Sequence, residues 1–112
     1  MSDPYIAERA IVLAAGRGER MRPLTDEMPK PMVRVDGRRI IDTLLAALVA
    51  AGIPEIYVVR GYLGEKFDAL KEEYPTLHFI DNPHWHEANN ISSLLAAGDL
   101  VENAFVVEGD LF

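Results

Sequence analysis

Leu13-Ala14-Ala15-Gly16-Arg17-Gly18-Glu19-Arg20-Met21-Arg22-Pro23-Leu24-Thr25 runs on to Pro29-Lys30-Pro31, and this stretch holds the residues best suited to chemistry. Gly16 and Gly18 let the backbone turn sharply, come close to a ligand and direct its N–H groups at phosphate oxygens. Arg17, Arg20, Arg22 and Lys30 add positive charge within the same short segment. A nucleoside triphosphate carries the complementary charge. Pro29 and Pro31 stiffen the backbone that presents Lys30, which sets it apart from a solvated surface lysine. Two better-known phosphate loops are excluded. No Gly, four residues, Gly-Lys-Ser/Thr run occurs, and a dinucleotide fingerprint would need glycine where the chain has Met21.

The rest of the composition narrows the ligand class. A net charge of −7 argues against nucleic acid, which requires a surplus of Lys and Arg over an extended face. Of the 11 Lys and Arg residues, Arg17, Arg20, Arg22, Lys30, Arg34, Arg38 and Arg39 fall in one region of an otherwise acidic chain. That asymmetry favours a small anionic ligand. With no cysteine, disulfides, thiolate chemistry and the usual structural zinc sites are ruled out. No apolar stretch is long enough to span a bilayer, and Met1-Ser2-Asp3-Pro4 lacks a basic segment followed by an apolar signal core. A cytoplasmic location without membrane attachment is expected.

The elements that must position these residues follow from periodicity. Residues 10–15 form an unbroken apolar run, as in a strand covered on both faces. Met32-Val33-Arg34-Val35 alternates into Asp36-Gly37, a strong turn dipeptide. Ile40, Ile41, Leu44, Leu45, Leu48 and Val49 repeat at helical spacing over 40–51, and Gly52 and Pro54 stop the helix. Residues 56–59 read as a second buried strand with Gly61 as its exit. Residues 65–74 read as a second helix with Phe67 and Leu70 inward, and 77–80 as a third strand. A polar loop over 81–87 precedes a third helix, in which Ile91, Leu94, Leu95 and Gly98 fall at helical intervals behind Asn89-Asn90. Residues 104–107 make a fourth strand, and Tyr57, Phe67 and Phe105 fit core patterns. This alternation predicts an α/β, Rossmann-like, mostly parallel sheet with helices on both faces.

His84-Trp85-His86-Glu87 has no third ligand at metal spacing, so no metal is assigned there. Trp85 suits either packing at the sheet edge or cation–π contact with a quaternary ammonium. Asp110-Leu111-Phe112 directly follows a strand, at the carboxyl end where doubly wound sheets form ligand crevices. A single domain cut through its site is therefore expected, with an exposed apolar edge that favours self-association into a homo-oligomer.

The motif over 13–31 resembles the signature of the sugar-phosphate nucleotidyltransferases, L-A-A-G-x-G-x-R-M-x-P-L-T-x-x-x-P-K-P, with every fixed position filled. Members are about twice as long, so the resemblance identifies residues 1–112 as the nucleotide-binding N-terminal part of one nucleotidyltransferase domain. Phe79-Ile80-Asp81-Asn82-Pro83 followed by Asn89-Asn90-Ile91-Ser92-Ser93-Leu94 resembles the bacterial choline-phosphate cytidylyltransferase branch. Val59-Arg60-Gly61-Tyr62 agrees with that branch and with aminoalkylphosphonate cytidylyltransferases. The glutamine and Gly-Thr or Gly-Leu pair usual in sugar-1-phosphate members are absent.

The resemblance implies transfer of a cytidylyl group from CTP to phosphocholine or a similar phosphorylated small alcohol, releasing pyrophosphate. It implies Arg20 on the triphosphate and Lys30 bridging acceptor phosphate and α-phosphate. Leu13, Ala14, Ala15, Gly16, Arg17 and Gly18 then form the nucleotide cradle. Asn82, Asn89 and Asn90 become base-reading candidates, since an amide offers donor and acceptor to a pyrimidine edge; the alternative is a helix cap for Asn89 or Asn90 and a turn role for Asn82. Asp110 matches a magnesium-binding aspartate, magnesium favouring carboxylate and phosphate oxygens. The family's second acidic ligand comes from a later strand, and Glu108 lies two residues back. A sugar-1-phosphate uridylyl- or guanylyltransferase, and an inactive nucleotide-binding fragment, are the alternatives.

Overall fold

In the computed structural model, residues 9–16, 23–84, 95–98 and 104–108 are described. Four strands, β1 (Arg9–Leu13), β4 (Glu55–Arg60), β5 (His78–Asp81) and β6 (Ala104–Glu108), form one sheet in the spatial order β5-β4-β1-β6. Every pairing in it is parallel. Counted in chain order within this sheet, the strands run 3-2-1-4, the order of a Rossmann half, in which the chain reverses direction across the sheet next to β1.

Side-chain alternation along β1 explains its continuous apolar sequence. Ala10, Val12 and Ala14 face one layer, with Ile56, Val58, Ile41, Leu45, Leu48, Phe67 and Leu70. Ile11, Leu13 and Ala15 face the other, with Val59 and Ala97. A strand covered on both sides has no polar face to show. Helix α1 (Ile40–Ala50) and the segment 64–73 cover the first face, and the helical residues 95–97 contribute Ala97 to the second.

A two-residue hairpin joins β2 (Arg34–Val35) to β3 (Arg38–Arg39). Asp36 and Gly37 both take positive φ, 54° and 84°, as a type I′ turn requires. This is the turn anticipated from Asp36-Gly37, and Arg34 steadies it by donating from Nη1 to the Gly37 carbonyl at 2.9 Å. Helix α1 starts directly after the hairpin. Its third residue, Asp42, accepts from the Arg39 amide at 3.0 Å, satisfying one of the donors that a helix start leaves open.

Three details depart from the sequence expectations. The second helix is a 3-10 segment over Gly64–Ala69 that becomes α-helical only over α2 (Leu70–Glu73). The Arg60 Nη1 also donates to the Gly64 carbonyl at 3.3 Å, at the start of this segment. Phe67 and Leu70 are still fully buried, because spacing of three serves both helix types. Val49 is 56% exposed, on the outer side of α1. Phe105 is 54% exposed, since β6 is the edge of the described sheet, so its core assignment fails.

Candidate active site

The carboxyl edge of the sheet gathers the candidate residues from separate parts of the sequence. Leu13, the last residue of β1, lies opposite Val59 on one side and Glu108 on the other. Arg60, the last residue of β4, lies opposite Asp81, the last of β5. Ala14 extends the ladder by donating to the Val59 carbonyl at 2.9 Å, and Asn82 does the same to the Arg60 carbonyl at 2.8 Å. Thus 13–16, 59–62, 81–82 and 108 leave the sheet at one edge, adjacent strands being about 4.8 Å apart. The position where β1 and β6 meet is the switch point of the strand order, where α/β sheets bind ligands.

Leu13, Ala14 and Ala15 are buried and Gly16 is exposed, so the chain emerges into solvent at the first glycine. A Cβ at Gly16 would meet nothing within 4 Å, which leaves open space beside its backbone. Arg17, Gly18, Arg20 and Arg22 lie outside the described residues, as do Trp85, Asn89, Asn90 and Asp110.

Lys30 opens a one-turn 3-10 segment, Lys30–Met32, that is fixed on both sides. Pro29 holds φ −64° and ψ 146°, and its carbonyl accepts from the Met32 amide at 2.9 Å. The Val33 amide closes on the Lys30 carbonyl at 3.1 Å. Pro29, Pro31 and Met32 are buried while Lys30 is half-buried, so the prolines anchor a turn from which the lysine projects. The Ile40 amide donates to the Val33 carbonyl at 3.0 Å and ties this turn to the start of α1.

Asn82 is only 2% exposed, and its Oδ1 accepts from the His84 amide at 2.9 Å. This is an Asx turn, which orders the loop after β5. Beside it, a cleft of about 500 Å³ is walled by Arg60, Gly64, Glu65, Asp68, Asp81 and Asn82, within the size range of small-molecule sites.

Two of the local arginines are held in ion pairs. Arg60 is held by Asp68 and Asp81, each at 2.6 Å, and its guanidinium lies over the Phe79 ring at 4.4 Å. Burial pushes its pKa down, but the two carboxylates outweigh that and hold it above the ordinary arginine value. Arg39 is 4% exposed and grips Asp42 at 2.8 Å and Glu73 at 2.8 Å. Its bonds to Asp42 outweigh its burial and raise its pKa. Burial alone would raise the Asp42 carboxyl; the Arg39 side chain and amide reverse this and hold it below the usual carboxylate range. Arg39 therefore drops out of the anion-binding set suggested by the clustering of charge, and joins the structure that supports Lys30.

Sequence reasoning gave no structural role to Thr25, and it named Tyr62 only within the Val59-Arg60-Gly61-Tyr62 resemblance. Thr25 is fully buried, and Tyr62, 6% exposed, donates its hydroxyl to the Thr25 carbonyl at 2.5 Å. A buried tyrosine needing a partner for its hydroxyl was the available signal. Among the described residues no group of three His, Asp or Glu could hold a metal ion, and no helix is long and apolar enough to cross a membrane.

Comparison with known proteins gives this edge its context. The family model of the MobA-like NTP transferase domain matches residues 10–112. The 2-aminoethylphosphonate cytidylyltransferase of Lancefieldella rimae is 48% identical over 104 residues, covering 91% of this chain and 42% of the relative. The choline-phosphate cytidylyltransferase of Streptococcus pneumoniae is 37% identical over 102 residues, covering 91% of this chain and 44% of its own length. A solved structure of the CTP:phosphocholine cytidylyltransferase from Streptococcus pneumoniae superposes with a TM-score of 0.84 at 38% identity, over 91% of this chain and 44% of that one. The chain spans less than half the length of these relatives.

Proposed function

The chain belongs to the MobA-like NTP transferase domain family, and from that premise we propose that it is the nucleotide-binding part of an enzyme transferring a cytidylyl group from CTP to a phosphorylated amino alcohol such as phosphocholine. The observation that carries this reading is the emergence of Leu13-Ala14-Ala15-Gly16 at the switch point of a 3-2-1-4 parallel sheet. Phosphates bound there meet backbone N–H groups at a strand end, the general position of nucleotide sites in such sheets.

In the proposed reaction an oxygen of the acceptor phosphate attacks the α-phosphorus of CTP. A new phosphorus–oxygen bond forms, the bond from the α-phosphorus to the bridging oxygen breaks, and pyrophosphate leaves with that electron pair. No protein nucleophile is required, so alignment and charge neutralisation carry the catalysis. Arg20 neutralises the triphosphate and Lys30 draws the acceptor phosphate toward the α-phosphate. The segment 13–18, with Arg17, cradles the nucleotide, and Asn82, Asn89 and Asn90 read the cytosine edge. Asp110, two residues beyond Glu108 on the strand beside β1, would hold Mg²⁺ together with the triphosphate oxygens. The ion would supply further neutralisation of phosphate charge.

The 48% identity to a 2-aminoethylphosphonate cytidylyltransferase favours a second acceptor of similar shape, a phosphonate carrying a primary ammonium. Both acceptors pair an anionic phosphorus group with a cation. A CTP requirement accords with a cytoplasmic location, and the exposed Phe105 and Val106 on β6 support self-association. Pyrophosphate release from CTP, UTP and GTP, with phosphocholine, 2-aminoethylphosphonate and a sugar 1-phosphate in turn, tests the proposal. Release specific to CTP and dependent on one acceptor is expected. Preference for UTP or GTP with a sugar 1-phosphate would overturn it.

A further inference from the structure

We infer that Tyr62 is a positioning residue for triphosphate binding, resting on the nucleotidyl-transfer reading above. Tyr62 follows β4 and belongs to no part of the 13–31 motif, yet it bonds to both flanks of the glycine segment. Its amide donates to the Ala15 carbonyl at 3.0 Å. Its hydroxyl donates to the Thr25 carbonyl at 2.5 Å and approaches the Asp26 carbonyl at 3.3 Å. Ala15 and Thr25 are ten residues apart in sequence and both are buried, so one residue, through its amide and its hydroxyl, holds two points that flank the motif's glycines and arginines in the sequence.

The backbone around Tyr62 is consistent with such a role. Leu63, immediately after it, sits at φ 49°, a left-handed conformation that residues other than glycine seldom adopt and that persists where surrounding structure imposes it. Thr25 and Asp26 themselves belong to a single 3-10 turn, Leu24–Asp26, with no side-chain cap. In that turn the Asp26 amide donates to the Pro23 carbonyl at 3.0 Å. The Tyr62 hydroxyl ties this short turn to the end of β4. Holding Ala15 and Thr25 in place presets where the binding segment leaves and rejoins the fold, and such preorganisation favours binding. Because the segment between them carries the charges suited to phosphates, the benefit should fall on the β- and γ-phosphates of CTP more than on the nucleoside.

The test compares wild type with Tyr62→Phe, which keeps the buried ring and removes only the hydroxyl, in titrations with CTP and with CMP, each with magnesium. The inference expects CTP affinity to fall roughly tenfold and CMP affinity to fall far less. Equal weakening of both nucleotides, or no change in either, overturns it and leaves Tyr62 a purely structural residue. Absence of CTP binding by wild type overturns the nucleotidyl-transfer reading first, and this inference with it. Should Tyr62→Phe fail to fold, hydrogen exchange in wild type decides. By reciprocity of coupling, CTP must slow exchange of the Asp26 amide more than CMP does, and equal protection would refute the role.

Discussion

Asp42→Ala removes the partner that makes a buried arginine tolerable at the start of α1. In the native chain, Asp42 accepts from the Arg39 amide at 3.0 Å, from Nε at 3.0 and 3.1 Å, and from Nη2 at 2.8 Å. After substitution, Arg39 keeps its ion pair with Glu73, whose side chain is 58% exposed. Breaking a buried charge pair costs about 3–5 kcal/mol. Retention of Glu73 places this case at the low end, and loss of the amide acceptor at the helix start is contained in the same figure. The expected loss is thus about 3 kcal/mol, or roughly 12 °C in melting temperature for a domain of this size. Thermal and urea unfolding followed by circular dichroism measure it.

Replacing both partners together, Arg39→Met with Asp42→Leu, should recover most of that loss, since no charge is then left buried without a partner. A single-mutant loss under about 1 kcal/mol, or a double mutant less stable than the sum of the singles, would refute the reasoning. The same pair sets an acid limit. Because the Asp42 carboxyl titrates below its ordinary 3.8 when folded, its contribution is complete above that value. It is lost as pH falls through the lower folded pKa, so Asp42→Ala should flatten the acid side of the stability profile below about pH 4.

Two further outcomes are expected. Phe67→Ala, at a fully buried position in the core that Leu70, α1 and the sheet share, should cost about 3–5 kcal/mol in urea denaturation. Phe105→Asp, on the exposed edge strand, should leave the monomer's melting temperature within about 3 °C and reduce any self-association seen by sedimentation velocity.

The parallel sheet was legible because β1 and β4 are buried on both faces and their apolar runs admit few alternatives to a buried strand. Asp36-Gly37 announced its hairpin because positive φ at two successive residues is demanding. Phe105 was misplaced because an apolar run looks the same in a central strand and in an edge strand; strand order decides exposure, and periodicity does not contain it. The fate of Arg39 was hidden for a related reason. Counting cations assigns them all to one field, whereas Asp42, three residues on, and Glu73, supplied by the α2 segment, neutralise this one. The role of Tyr62 could not be found from the 13–31 motif, since its partners, the Ala15, Thr25 and Asp26 carbonyls, are backbone groups whose positions depend on the fold. For the site, the sequence named the strand end, the glycine exit and the braced Lys30, and the structure shows the strand end and the brace. The contributions of Arg17, Gly18, Arg20, Asn89, Asn90 and Asp110 stand as proposals on residues outside those described.

Isothermal titration of CTP and UTP, each with magnesium, into the wild-type chain and into Lys30→Ala tests the central claim most directly. Loss of one charge-assisted contact is worth at least about 1.5 kcal/mol, so Lys30→Ala should bind CTP roughly tenfold more weakly, with wild type preferring CTP over UTP. CTP binding unchanged by the substitution, or no preference between the two nucleotides, would contradict the assignment of this edge as a cytidylyl-transfer site.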